Sequence, residues 1–191
     1  MTEVLKRHIS KFTSISDQEF EEIVGFFEVI EVKKKDILHK AHSICQYHYF
    51  VMEGCLRMYF INEKGVEQTT EFAIENWWLT DHQSYNQRLQ SEFYIQAVEK
   101  SKVIRIKKAK EEELLNQFPV LEKYFRNIYQ RSFAAAQMRV KFFKQFTREE
   151  LYHHFNSNFP EFVQRVPQYL IASFLGFTPE YLSEIRRKNL S

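Results

Sequence analysis

Glycine is scarce in this chain, with four residues in 191. A Gly-rich phosphate cradle or a nucleophile elbow needs glycines close together, and no such run exists. His153-His154 and the scattered carboxylates lack the spacing of a metal hydrolase or an acid–base pair, so no enzyme is expected. Cysteine is limited to Cys45 and Cys55, too few for a disulfide framework or a four-thiolate metal site. His39, His42 and His48 lie near Cys45, but the region alternates like a strand and sends neighbours to opposite faces, which disfavours zinc. No cofactor is expected. No run approaches the roughly 18 uninterrupted apolar residues of a membrane span, and the N-terminus lacks a signal-peptide core, so a cytoplasmic protein away from membranes is expected. Charge of one sign is also lacking: 27 basic against 25 acidic side chains leave a net +2, which excludes a general polycation.

Hydrophobic residues, by contrast, make up 44% of the chain and include nineteen Phe, ample for a packed core. Basic residues gather between Lys123 and Arg148 (Arg126, Arg131, Arg139, Lys141 and Lys144 between them), while Asp17, Glu19, Glu21 and Glu22 sit near the N-terminus. Ser16-Asp-Gln-Glu19 is a capping box that opens a first helix through Phe20, Ile23, Val24 and Phe27. Short β-branched and aromatic segments follow at Val29–Val32, Tyr47–Val51, Leu56–Ile61, Glu67–Ala73, Phe93–Val98 and Lys102–Lys107. Their even spacing, with turns at Gly54 and Glu63-Lys-Gly65, indicates an antiparallel sandwich or roll.

The period then becomes helical, with a short helix over Lys110–Gln117 and a long one from about Val120 to Phe146. Leu121, Phe125, Ile128, Ala135, Phe142 and Phe146 share a stripe on the long helix, which something must cover. Part fits the roll. The rest suits the same helix of a second subunit, with Ala134–Ala136 allowing close approach; burial within one chain is the alternative.

Arg165 to Lys188 has the spacing of a helix-turn-helix. A steep helix crossing needs a small residue inside the first helix and a glycine in the turn, and Ala172 and Gly176 supply them. Ile171 and Leu175 face Leu182 and Ile185 across the turn residue Phe177. Thr178 caps the second helix and Pro179 takes its first position. Thr178, Glu180, Ser183, Glu184 and Arg187 point outward, with Tyr181, Arg186 and Lys188 beside them, so these eight are the candidate DNA contacts. An ordinary αα-hairpin shows similar periodicity but does not require this combination.

An N-terminal helix, a β-roll, a long helix and a C-terminal helix-turn-helix stand in the order found in the Crp/Fnr family of bacterial transcription regulators. The chain resembles that family over nearly its whole length, most specifically at Tyr49-Phe-Val-Met-Glu-Gly54, Glu75-Asn-Trp-Trp-Leu-Thr-Asp81 and Gln164-Arg-Val-Pro-Gln168. It looks most like a Bacteroidetes-type branch. The resemblance implies an α+β architecture: a cyclic-nucleotide-binding-like roll over residues 1–118, a dimerisation helix over 119–146 and a helix-turn-helix domain over 147–191. The partners it implies are double-stranded DNA with a two-fold operator, a second copy of the chain joined through the long helix, and RNA polymerase.

Relatives that bind cyclic AMP hold its phosphate with a Gly-Glu pair and a later Arg-Ser or Arg-Thr pair. Leu79-Thr80 and Ser91-Glu92 stand there instead, without glycine or arginine, and Glu92 adds a repelling carboxylate. Arg88 is the one nearby cation. Cyclic AMP is therefore expected to bind weakly or not at all. Trp77, Trp78, His82, Tyr85, Arg88 and Glu92 form a candidate pocket for an unknown effector, beside Phe93; packing into the core is the alternative. No cysteine cluster precedes Cys45, so the family's iron–sulfur oxygen sensing is not expected. The chain ends three residues past Lys188, so the wing that follows the recognition helix in many relatives is expected to be missing. A sensor whose helix-turn-helix docks a protein is the rival to a DNA-binding regulator.

Overall fold

The computed structural model describes residues 3–188 as two compact units. The first holds the chain up to Phe60 together with Glu71–Arg131, and the second holds Ile61–Thr70 and the residues from Ser132 onward. Two helices come first, α1 (Glu3–Ile9) and α2 (Asp17–Ile23). The Ser16 capping box is formed in both directions, with Ser16 Oγ accepting from Glu19 N and a Glu19 carboxylate oxygen accepting from Ser16 N at 2.8 Å. The helix α1 before it was not read from the sequence.

Among the described residues eight strands make two four-stranded sheets, ordered β1 (Glu28–Val32), β8 (Ser101–Lys107), β3 (Tyr47–Glu53), β6 (Trp78–Leu79), and β2 (Ile37–His39), β7 (Tyr94–Ala97), β4 (Leu56–Ile61), β5 (Glu67–Ala73). The six strands expected from alternation are all present within one or two residues at their ends. The strands β2 and β6, of three and two residues, are too short to show a period.

In β3, residues His48 to Met52 are all buried because both of its faces are covered. Phe50 and Met52 join Ile104, Ile106 and Trp78 in a layer packed under Leu5, Ile9, Phe20, Ile23, Leu114, Leu121, Tyr124 and Phe125 of the helices. Tyr49 and Val51 face the other way, into the interior of the roll with Leu56, Ile95 and Val103. At Gly54 the backbone takes φ +99°, and an added Cβ would lie 2.8 Å from Ser101 Cα, so glycine is required there.

The helices α4 (Lys108–Gln117) and α5 (Val120–Gln145) complete this layer, while α3 (His82–Gln87) places Tyr85 in the interior cluster of the roll. The division between the units falls within α5. In the second unit follow α6 (Arg148–Asn158), α7 (Pro160–Arg165), α8 (Gln168–Leu175) and α9 (Pro179–Lys188). Among the described residues no helix is long and apolar enough to cross a membrane.

The stripe on α5 divides. Leu121 and Phe125 are buried, whereas Phe142 and Phe146 stack on each other and against His154 of α6, with ring centroids 4.6 and 4.9 Å from the imidazole. A second stripe is exposed: Phe133, Ala136, Val140 and Phe143, with Phe133 66% and Val140 53% accessible. Its 3-4-3 spacing is that of a coiled-coil seam, and it lies on a different face from the one read in the sequence.

Candidate functional site

The helix-turn-helix is built by local geometry. Helix α8 ends in a Schellman motif, with Gly176 at φ +75°, Phe177 N donating to Ala172 O at 2.8 Å and Gly176 N to Ser173 O at 3.3 Å. Ala172 is fully buried with Ile171, and Leu175, Phe177, Leu182 and Ile185 close the space between the helices. Thr178 Oγ1 accepts from Tyr181 N at 3.2 Å and so caps α9. Ser173 Oγ accepts from Thr69 N at 2.8 Å and donates to Glu67 O at 2.9 Å, fixing α8 to the Ile61–Thr70 segment of the same unit.

Of the eight candidate contact residues, Thr178, Glu180, Ser183, Glu184, Arg186, Arg187 and Lys188 are exposed. Tyr181 is half-buried, packed edge-on against Phe177. Ser183 Oγ donates to Pro179 O at 2.9 Å, which leaves it an acceptor toward solvent. Lys188 lies 3.4 Å from Glu184, an exposed pair of small energetic weight. The Arg148 guanidinium sits 5.8 Å from the Tyr181 ring centre and adds a cation beside α9. A Thr147–Glu150 capping box begins α6 and places Arg148; that Thr-x-x-Glu signal was present in the sequence but unread. The residues after Lys188, where the chain end bears on a wing, lie outside the described residues.

The six candidate effector residues separate. Trp77, Arg88 and Glu92 are exposed, and Arg88, in the left-handed region at φ +59°, donates to Cys45 O and Gln46 Oε1. Trp78, His82 and Tyr85 come together around the fully buried His48, with ring centroids 4.5, 5.7 and 5.7 Å from its imidazole. The backbone N–H groups of Gln83 and Ser84 are taken by the Asp81 carboxylate at 3.1 and 3.2 Å. Those of His42 and Ser91 are taken by Ser91 O and Ser43 O. No cluster of His, Cys, Asp or Glu able to hold a metal occurs among the described residues.

The sequence reading missed the centre of this cluster, Glu111 of α4, which is 1% exposed. One of its oxygens accepts from Tyr85 Oη at 3.2 Å and lies 3.3 Å from His48 Nδ1; the other accepts from Tyr129 Oη at 3.3 Å. A carboxylate offers only acceptors, so His48 Nδ1 is the donor and Nε2 is left without a partner. Burial raises the Glu111 carboxyl pKa, but the His48 and Tyr85 bonds and nearby Lys108 outweigh it and the net shift is downward. Beside it, Trp78 Nε1 donates to Tyr124 Oη at 2.7 Å, and that oxygen lies 2.8 Å from His8 Nδ1.

Burial drives the pKa values of His8 and His82 down to about 4, helped by Lys11 and Arg131 for the first and by His48 for the second. Folded values below the unfolded value of about 6.5 mean stability fully present above pH 6.5 and lost as pH falls through 4. Calorimetry from pH 7 to pH 4 is expected to show a steep fall in the melting temperature, starting before ordinary carboxylates titrate. A variant carrying His8→Gln and His82→Gln should show a flatter profile, and an unchanged slope would contradict this account.

No family model matches the chain, and no curated protein matches it. Its fold does match solved structures. The c-di-GMP responsive global regulator CLP of Xanthomonas campestris superposes with a TM-score of 0.70 at 12% identity, covering 92% of each chain. FixK2 of Bradyrhizobium japonicum gives 0.68 at 15% identity, covering 85% of this chain and 83% of that one. A structure described as a transcriptional regulator of the Crp/Fnr family from Eubacterium rectale gives 0.70 at 16%, covering 91% and 83%. A β-roll, a long helix and a helix-turn-helix in this order are the fold of the Crp/Fnr regulators, and this chain has that fold.

Proposed function

We propose that the chain is a DNA-binding transcription regulator of Crp/Fnr type and not an enzyme, acting as a homodimer on a two-fold symmetric site. The observation that carries this reading is α9: its inner face is closed by Leu182 and Ile185, while Glu180, Ser183, Glu184 and Arg187 stand free of the packed side. In a dimer two such helices enter successive major grooves, about 34 Å apart. Glu180, Glu184 and the outward lone pairs of Ser183 are acceptors, suited to cytosine and adenine amino groups. Arg186, Arg187, Lys188 and Arg148 supply the phosphate contacts, and the Thr178 hydroxyl keeps its hydrogen for one more. The exposed Phe133–Phe143 seam of α5 provides the dimer contact.

Cyclic AMP is not the effector in this reading. The N–H groups of α3 are occupied by Asp81, Arg88 is spent on Cys45 and Gln46, and Glu92 repels phosphate. The Trp78, His82 and Tyr85 group serves as core around His48. One feature favours the rival docking role: Glu180 and Glu184 offset much of the positive charge on α9.

Selection of duplexes from a random pool, without added ligand at moderate salt, tests the assignment. A symmetric motif with half-sites one turn apart is expected; no enrichment at any salt concentration would leave the docking role. Arg186→Ala should weaken all duplexes alike and lower the salt slope by about 1, whereas Glu180→Ala should relax preference at one base pair. Uniform weakening by both would mean that α9 does not read bases.

A further inference from the structure

The inner face of the roll carries an arginine at its edge. Along β8, Val103 faces the roll interior while Ile104 and Ile106 face the helical layer, so the pleat turns Arg105 inward, opposite Tyr49 and Glu28 of the neighbouring strands. There it lines an open cavity of about 310 Å³, together with Ile30, Val32, Ile37, Leu38 and Asp36. The volume lies at the lower end of the roughly 300–1,000 Å³ range of ligand pockets. Ile30, Val32 and Leu38 pack against the interior core yet remain partly exposed, so the apolar interior of the roll is open at this mouth.

The cation is prepared for an anion. Its guanidinium lies over the Tyr47 ring, 4.1 Å from the centre, which fixes its plane. Nε and Nη2 both reach a single oxygen, Glu28 Oε2, at 2.8 and 2.7 Å, and Nη1 has no partner among the described residues. The Glu28 side chain is itself 50% exposed, so the pair is of the weakly held surface kind and exchanges readily. Asp36, the other acid at the cavity, is occupied in accepting from Lys33 N at 2.8 Å. Lys33, Lys34, Lys35 and Lys40 are exposed around the β1–β2 connection and outnumber Asp36 and Glu31, giving the mouth a positive rim.

We propose that this mouth binds a small amphipathic carboxylate, with its hydrocarbon body on Ile30, Val32 and Leu38 and its carboxylate on Arg105 in place of Glu28. The partly exposed side chains of Ile30, Val32 and Leu38 receive the tail, and the guanidinium fork selects a planar anion. The site is distinct from the Trp78, His82 and Tyr85 group and independent of DNA binding.

Octanoate below its micellar concentration is the probe, with 1-octanol as the tail without the anion and acetate as the anion without the tail. Titration followed by calorimetry and by methyl resonances should show saturable octanoate binding that shifts Ile30, Val32 and Leu38, with octanol and acetate at least about tenfold weaker. Arg105→Gln should weaken octanoate at least about tenfold, and Glu28→Gln, which removes the internal competitor, should strengthen it up to about fivefold. Glu28 is half-exposed, so that variant keeps the proposal testable even if Arg105→Gln fails to fold. Octanol binding as well as octanoate, no gain in Glu28→Gln, or no saturable binding by either protein would overturn the assignment.

Discussion

Replacing Phe133 and Val140 with glutamate is expected to convert the proposed dimer into monomers and to reduce affinity for a symmetric duplex by more than about 100-fold. Burying each large apolar side chain contributes about 1.5–3 kcal/mol, and two substitutions appear twice in a two-fold assembly. The loss is therefore more than about 6 kcal/mol, roughly four orders of magnitude in the dimer constant, before like charges repel across the axis. Sedimentation equilibrium reads the mass directly. Met138→Glu is the control: Met138 is 44% exposed on the same helix but lies about half a turn from the seam, so neither mass nor affinity should change. Loss of the dimer in both variants, or in neither, would remove the seam from the account.

The second large effect is expected at Glu111. Glu111→Ala deletes the carboxylate that accepts from both Tyr85 and Tyr129, leaves Tyr85 Oη the longer bond to Ile106 O at 3.5 Å, and strips the fully buried His48 of its Nδ1 partner. Stranding buried polar groups costs about 1–3 kcal/mol each, and breaking a buried charged network about 3–5 kcal/mol in total. Because the Trp78 ring packs against His48, tilted with centroids 4.5 Å apart, indole fluorescence during urea unfolding reports this region. The midpoint should fall by roughly 1–5 M for a slope near 1–3 kcal/mol/M. Glu111→Gln should recover only part of the loss, since its amide NH2 group meets donors where an oxygen stood. A drop below about 1 kcal/mol would show the cluster to be incidental.

The helix-turn-helix was legible in the sequence because its determinants are local. Ala172, Gly176 and Thr178 lie within seven positions, and each does what its chemistry at that position requires: close packing, a left-handed turn and a cap. The same holds for the Ser16–Glu19 box. The covering of α5 was not legible. Its sequence carries two apolar stripes, and nothing within the helix says which one meets its own chain; only the position of His154 on α6 assigns Phe142 and Phe146 inward and leaves Phe133, Ala136, Val140 and Phe143 outward. Nor did the pattern around Trp78 reveal that Trp78, His82 and Tyr85 surround a histidine from β3.

Element type, strand alternation, helix caps and the helix-turn-helix were thus determined by the sequence alone, since each depends on residues a few positions apart and on fixed backbone periods. The tertiary structure alone decided the Glu111–His48 pair, joined across 63 positions, and the placing of Arg105 at the mouth of the roll beside Glu28, 77 positions away. A side chain's partner at that separation is set by how strands and helices pack, and burial, which strengthens a bond between polar groups and penalises an unpaired one, exists only after they have packed.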